Sequence, residues 1–360
     1  MKVADLVATM ETIAPTRFAE SWDNVGLLVG DPDATATTVG LCIDYTPAVA
    51  NEFAERGVDF VITYHPPIFK SLKRLSPGTI FDAIRRGVAI YSPHTALDVA
   101  AGGTNDVLAD AVGITAERRP IRPSKVADCV KLVTFVPEAN VDAVSDAVCA
   151  VGAGTIGAYD HCTFRTPGTG TFCGGEGTDP AIGRPGKLET TPEIRLETIV
   201  PEARISAVVA ALRDAHPYEE PAFDLLRMAD LPSNIGLGRI GELSEPTPID
   251  TVLDRIKTHL GIDHLLLAGD NIRTIETVAV LAGSGGDIVH DLAGKCDLYV
   301  TGELKHHDAL PALTQRPAIV CTLHSNSERK TLAVVAERLR EMLHVETVLV
   351  DEDRDPFAIV

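Results

Sequence analysis

The spacing of apolar and polar positions changes along the chain, and those changes mark its organisation. MKVADLVATMETIAP has the 3.6-residue period of a helix, and the turn-rich SWDNVGLLVGD follows, where Trp22, Asp23 and Asn24 read as capping and stapling the entrance to a strand. VGLCID, TPAVANEFAERG and VDFVITYHPP then predict strand, helix and strand within about 30 residues, a βαβ unit. A further helix over Thr79 to Arg86 leads to the strand VAIYS and the polar loop PHTALDVAAGGTNDVLAD.

From about Ser124 the pattern becomes strand, Pro-Glu break, amphipathic helix and glycine stop, in LVTFVPEANVDAVSDAVCAVGAG, and it recurs in LETIVPEARISAVVAALRDAHPYEE. Val136-Pro137-Glu138-Ala139 returns as Val200-Pro201-Glu202-Ala203, an offset of 64 residues. Two such units predict β-α-β-β-α-β, a ferredoxin-like α+β domain inserted as residues 124–231, with the Gly-, Pro- and Thr-rich stretch 161–190 expected to be a long mobile loop. The first theme then resumes. Asp59-Phe60-Val61-Ile62-Thr63 aligns with Asp297-Leu298-Tyr299-Val300-Thr301 at an offset of 238, each followed by a histidine-bearing loop. Residues 1–123 and 232–360 therefore read as two related halves of one α/β core with their strands ending at a shared cleft.

Composition narrows the function classes. The 360 residues are 45% hydrophobic and 23% charged, a globular balance without a run of membrane-spanning length, and the acidic, helical N-terminus lacks the apolar core of a signal peptide. A net charge of −19, from 32 basic and 51 acidic residues, argues against nucleic acid as a partner. The seven cysteines form no CxxC, which points to reduced thiols and a cytoplasmic protein.

Four stretches carry candidate chemistry. In VITYHPPIF, Pro66 and Pro67 cannot donate to a sheet, so the strand stops at Tyr64-His65, where open α/β sheets gather ligands. SPHTALD supplies His94 and Asp98, and TGELKHH supplies Glu303, His306 and His307. LHSNSE places His324 and Glu328 four apart at the start of a helix, hence on one face. Such a pair can hold one divalent ion, and a further carboxylate such as Asp98 can bridge two. Each stretch alone has a plainer reading: a surface pair for His324 and Glu328, an N-cap for Asp98, a solvated face for His306 and His307. Gly283-Ser284-Gly285-Gly286 lacks the P-loop lysine and reads more simply as a turn than as a phosphate cradle. Joint occurrence, each histidine group just after a strand, favours the metal reading.

The ordered set WDNVGLLVGD, DYTP, ITYHPPIF, SPHTALDVAAGGTND, HPYEEPAFD, GLGRIGEL, DLYVTGELKHHDAL and HSNSE resembles the GTP cyclohydrolase 1 type 2 family, also called NIF-three-like, in its long form. The resemblance implies an α/β core of that type interrupted by a PII/CutA-like insert, a toroidal homohexamer, and a dinuclear site with metal ligands at His65, Asp98, His324 and Glu328. Many members have adjacent histidines where this chain has Tyr64-His65, which makes Tyr64 a weaker ligand than imidazole and implies altered occupancy, one or two divalent ions per subunit. Zinc, iron and manganese all suit His and carboxylate donors, zinc first. The implied activity is hydrolysis of a nucleotide-like small molecule by metal-activated water, with Glu303, His94 and His307 as proton carriers. The alternative is a metal-binding regulatory or scaffold protein whose PII-like insert senses a small molecule without turnover.

Overall fold

The computed structural model describes residues 1–115, 117–124, 129–228, 235–269, 273–286, 288–314 and 317–360. Its contacts divide the chain into two compact units, Met1–Ser124 with Ser233–Val360, and Lys125–Pro232.

The first unit contains two five-stranded sheets. One runs Gly26–Val29, Ala89–Ser92, Phe60–Thr63, Thr38–Cys42, Glu346–Leu349, parallel except for the first pair. The three strands at its centre are buried throughout, as expected when helices cover both faces of a parallel sheet. Alternation of side chains sorts the two faces. Val39, Leu41, Phe60, Ile62 and Tyr91 pack against the helices Val3–Ile13 and Arg329–Leu343, while Cys42, Val61 and Ile90 meet Pro47–Glu55 and Thr79–Arg86. Gly40 lets the second layer approach closely, because a Cβ there would lie 2.7 Å from the Phe53 ring.

The other sheet runs Arg239–Pro248, Thr274–Ser284, Leu298–Glu303, Ala318–Cys321, Leu266–Ala268, with its three central strands parallel. Thr104–Val112 and Ile249–Leu260 cover one face, and Ile288–Leu292 and His306–Leu313 the other. The residues offset by 238 make the same bonds. Asp59 accepts from the amides of Thr37 and Thr38 and Asp297 from those of Glu276 and Thr277, while their carbonyls accept from Ala89 and Ala318. Elements are also exchanged. The late helix Arg329–Leu343 and strand Glu346–Leu349 complete the early sheet, and the early helix Thr104–Val112 packs on the late one. Among the described residues, no helix is long and apolar enough to cross a membrane.

The second unit is a four-stranded antiparallel sheet in the order Thr163–Cys173, Leu188–Pro201, Cys129–Val136, Phe223–Arg227. The helices Val141–Ala150 and Ile205–Ala215 pack on it through Leu132, Val136, Leu196 and Val200. Both copies of the Val-Pro-Glu-Ala motif form the same short 3-10 turn into a helix, Glu138–Asn140 and Glu202–Arg204. The expected long loop at 161–190 is instead strand at both ends, with a shorter connection at 174–187: Thr163–Cys173 pairs with Leu188–Thr198 along its whole length. Thr163, Thr166, Thr169 and Thr171 favour extended backbone, and ladder bonding outweighs the interspersed glycines.

The ends of this segment are adjacent. Arg122–Pro123 pairs with Gly236–Leu237, and the Ser124 amide donates to the Ile235 carbonyl at 2.8 Å. Closing such neighbouring ends with a short linker costs little loop entropy, since each doubling of length adds only about 0.6 kcal/mol. Replacement of residues 125–230 by a short Gly/Ser linker is therefore expected to leave a cooperatively melting α/β core by circular dichroism; loss of the melting transition would contradict it.

Candidate metal centre

The parallel strands of both sheets end at one place. Asp44, His65 and His94 follow the strands Thr38–Cys42, Phe60–Thr63 and Ala89–Ser92, and Glu303 and His324 lie at and after the ends of Leu298–Glu303 and Ala318–Cys321. The His65 backbone is pinned by its amide on the Ile43 carbonyl (3.0 Å) and its carbonyl under the Thr63 hydroxyl (3.0 Å). His65 Nδ1 then meets Asp44 Oδ1 at 3.0 Å, which turns Nε2 toward Glu328 Oε2, 3.4 Å away. His324 is arranged in the same way, with Nδ1 on Glu303 Oε1 (3.0 Å) and Nε2 3.3 Å from Glu328 Oε1. Glu328 itself is 3% exposed.

The donor atoms of His65, His324 and Glu328 all lie within 4.8 Å of one another. Among the described residues Glu328 Oε2 has no hydrogen-bond partner, the 3.4 Å approach of His65 Nε2 falling outside hydrogen-bond geometry. A buried carboxylate oxygen so left is costly unless a cation completes it. Two donors bound to zinc at 2.0–2.1 Å in tetrahedral geometry stand about 3.3 Å apart, close to the 3.4 and 3.3 Å between each imidazole and the Glu328 oxygen it faces. Gly283 keeps the space open: at φ +69°, its Cβ would lie 2.7 Å from Glu328 Oε1. The residues present fit a divalent cation, and Asp44 and Glu303 are the outer partners that fix which imidazole nitrogen is offered.

Burial alone would lower the His65 pKa, but its contacts with Asp44 and Glu328 prevail and raise it to about 10. The Glu328 contact, against burial and with help from Glu303, raises His324 to about 9. Glu328 is held below the usual carboxylate range, the two imidazoles outweighing burial. Without a cation, the two imidazolium ions offset the charge of Glu328.

A cleft of about 480 Å³ adjoins the cluster, lined among others by Trp22, His94, Asp98, Ser284 and Lys305. Asp98 is raised to about 6 by burial and by the Glu328 charge, against the hydrogen bond it accepts from the Tyr64 hydroxyl. Tyr64 is wholly buried and also reaches Thr104 Oγ1 at 3.1 Å; burial first, then Asp98, pushes its phenol upward, so it stays protonated as a donor. His94 Nδ1 is tied to Asp23 Oδ1 at 2.8 Å, and the same carboxylate accepts from the Thr95 amide. Both His94 (φ 28°) and Leu323 (φ 72°), which precedes His324, sit at positive φ, strain that surrounding bonds must hold.

Of the residues singled out from the sequence, His65, His324 and Glu328 come together as a triad, and Asp98 and His94 line the adjoining cleft. Tyr64 lies behind Asp98 with its hydroxyl engaged there and at Thr104, and Glu303 stands behind His324. Asp98 begins no helix: it lies within His94–Val99. His307 is exposed at the start of His306–Leu313, its ring beside His306 and outside the cleft lining. Asp23 and Asp44 were missed. Their only signal was a carboxylate beside a strand end in WDN and DYTP, which turn chemistry explains equally well.

A family model described as Duf34/NIF3 (NGG1p interacting factor 3) matches residues 1–356. A Mycobacterium tuberculosis protein named GTP cyclohydrolase 1 type 2 homolog is 36% identical over 349 residues, covering 94% of this chain and 92% of its own. A Halalkalibacterium halodurans protein of the same name is 35% identical over 374 residues and covers all of both. Among solved structures, a Bacillus cereus protein related to NIF3 is similar with a TM-score of 0.66 at 31% identity, covering 100% of this chain and 99% of its own. A Staphylococcus aureus structure has a TM-score of 0.75 at 28% identity over the same shares.

The imidazole shifts fix the pH behaviour. Both histidines are protonated at neutral pH without metal, so each bound ion is expected to displace roughly two protons and affinity to rise about 100-fold per pH unit below the His324 value. Calorimetry in buffers of different ionisation enthalpy measures this, and proton-neutral binding would contradict it. For the metal-free protein the sign is the reverse. Stabilisation from the raised imidazoles is complete below the ordinary histidine value, near 6.5, and is lost as pH climbs through about 9 and about 10, lowering Tm. Gly283→Ala, which combines left-handed strain of roughly 1–2 kcal/mol with a collision at Glu328, is expected to weaken metal binding in the same titration.

Proposed function

Since the chain belongs to the Duf34/NIF3 family, we propose that it is a divalent-metal-dependent hydrolase acting on a nucleotide-like small molecule. The observation that carries this reading is the convergence of two imidazole Nε2 atoms, each fixed from behind by a carboxylate, on the buried and incompletely paired Glu328. The curated relatives named GTP cyclohydrolase 1 type 2 homolog support the choice of a nucleotide-like substrate.

His65, His324 and Glu328 would hold the ion, which when bound supplies Lewis acidity and lowers the pKa of water. Asp98, raised to about 6, can hold or release a proton near neutrality, and Tyr64 orients it. His94, with Nδ1 committed to Asp23, offers Nε2 to the cleft. Lys305 adds positive charge to the lining, Arg122 there being paired with Asp291 at 2.7 Å, and Trp22, 59% exposed, offers a flat apolar surface. These groups suit an anion that also carries an aromatic ring. Zinc as the native ion, a second ion at Asp98, a homohexamer, a PII/CutA-like insert and a cytoplasmic location are parts of the same proposal. The seven cysteines, none of them in a disulfide, favour the last.

Protein purified without chelator is expected to contain a stoichiometric divalent metal by elemental analysis and to hydrolyse at least one member of a nucleotide panel. Chelation should abolish turnover and His324→Ala should lower it at least about tenfold. Stoichiometric metal without turnover of any nucleotide would overturn the hydrolase in favour of the regulatory alternative, and absence of metal binding would overturn both. Tyr64→His, which places an imidazole beside Asp98, is expected to raise zinc stoichiometry or affinity on titration; no change would remove position 64 from the second site. Sedimentation equilibrium should give a hexamer, and a monomer at micromolar concentration would contradict that part.

A further inference from the structure

The second unit contains a cavity of about 610 Å³ that the metal chemistry does not use, within the size range of small-molecule sites. We propose that this cavity binds a small flat aromatic molecule carrying an amidine-type or ammonium N–H group, held by Glu193. The proposal does not rest on the metal reading.

Glu193 and Arg195 alternate with Ile194 and Leu196 along one strand, and Leu196 packs against the helices. Glu193 and Arg195, with Phe135 paired opposite Arg195, therefore face the other side of the sheet, where the cavity opens. Glu193 is only 8% exposed, yet among the described residues no cation lies within ion-pair distance of it. Its carboxylate accepts one hydrogen bond there, from the Tyr218 hydroxyl at 2.7 Å. Burial and Glu193 push the Tyr218 phenol upward, so it remains a donor to the carboxylate. The carboxylate also reaches across to the neighbouring strand. A Cβ at Gly170 would lie 2.1 Å from Glu193 Oε2, so glycine is what makes room for it.

An ionised carboxylate accepts up to about four hydrogen bonds. One filled in a largely apolar enclosure leaves capacity for a ligand's N–H groups, and a buried acceptor so left gains by being completed. The lining indicates the rest of that ligand. Phe135, Phe172 and Tyr218 contribute aromatic surface, with Phe172 and Tyr218 5.8 Å apart between ring centroids. Among the described residues the lining has one cation, Arg195, which is committed to Glu197 at 2.7 Å and lies over the Phe135 ring, whereas Glu193, Glu219 and Glu220 are all acidic. Anionic ligands are thereby disfavoured. A planar ring with a forked N–H group meets both the walls and the carboxylate, in the same geometry by which guanidinium groups pair with carboxylates.

Benzamidine is the probe, with benzoate as its anionic counterpart of similar size, tested on the full chain by saturation-transfer NMR. Benzamidine is expected to give a saturable signal and benzoate none, and chelator or His324→Ala should leave the benzamidine signal unchanged. Glu193→Gln, isosteric but neutral, should weaken binding at least about tenfold. Gly168→Phe is a second variant that fills the cavity from an exposed strand position, where a Cβ meets only the Glu193 carbonyl at 3.9 Å. It should abolish the signal without changing the melting temperature. No benzamidine signal, an equal benzoate signal, a signal undiminished in either cavity variant, or loss on chelation would overturn the proposal. Failure of the metal-dependent hydrolase reading would leave all of these results as they are.

Discussion

A carboxylate buried without enough partners is expensive, and Glu328 is the group around which this core is constrained. It lies at the entrance to Arg329–Leu343, the helix that helps cover the first sheet, while its two imidazole neighbours follow strands of different sheets. The electrostatics of that one side chain therefore depend on both sheets being assembled. In the absence of a cation the two histidines remain protonated to offset it, and a divalent ion bound there would take over that role by displacing their protons.

The exchange of elements explains how such precision is reached with short loops. Because the late helix and strand finish the early sheet, and an early helix covers the late one, neither half has a complete core of its own. Strand ends from both are thereby held at fixed separation, and the outer carboxylates Asp44 and Glu303 remove the remaining freedom, the rotation of each ring. The strained backbone at His94 and Leu323 sits in the same loops, where packing around the parallel sheets can sustain it.

The parts of this site that were legible in sequence are those fixed by local rules. Pro66 and Pro67 end a strand at His65, and four-residue spacing at a helix entrance brings His324 to Glu328. Asp23 and Asp44 were not legible, because their partners are set by sheet order: Asp44 reaches His65 across a strand boundary and Asp23 reaches His94 from 71 residues away. Tyr64 shows the same limit. Its place beside the ligand histidine suggested a donor to metal, yet strand alternation turns it into the core, where Asp98 is its partner. In the second unit, glycine and proline content suggested a loop at 161–190, and only the register against Leu188–Thr198 reveals the strand.

The central claim is that His65, His324 and Glu328 form one cation site. Anomalous diffraction from a crystal soaked in zinc tests it most directly. The account predicts a single strong peak about 2.0–2.2 Å from His65 Nε2, His324 Nε2 and a Glu328 oxygen, with Asp44 and Glu303 still on the outer nitrogens. A peak bound elsewhere, or an empty triad at saturating zinc with both imidazoles still against Glu328, would contradict it.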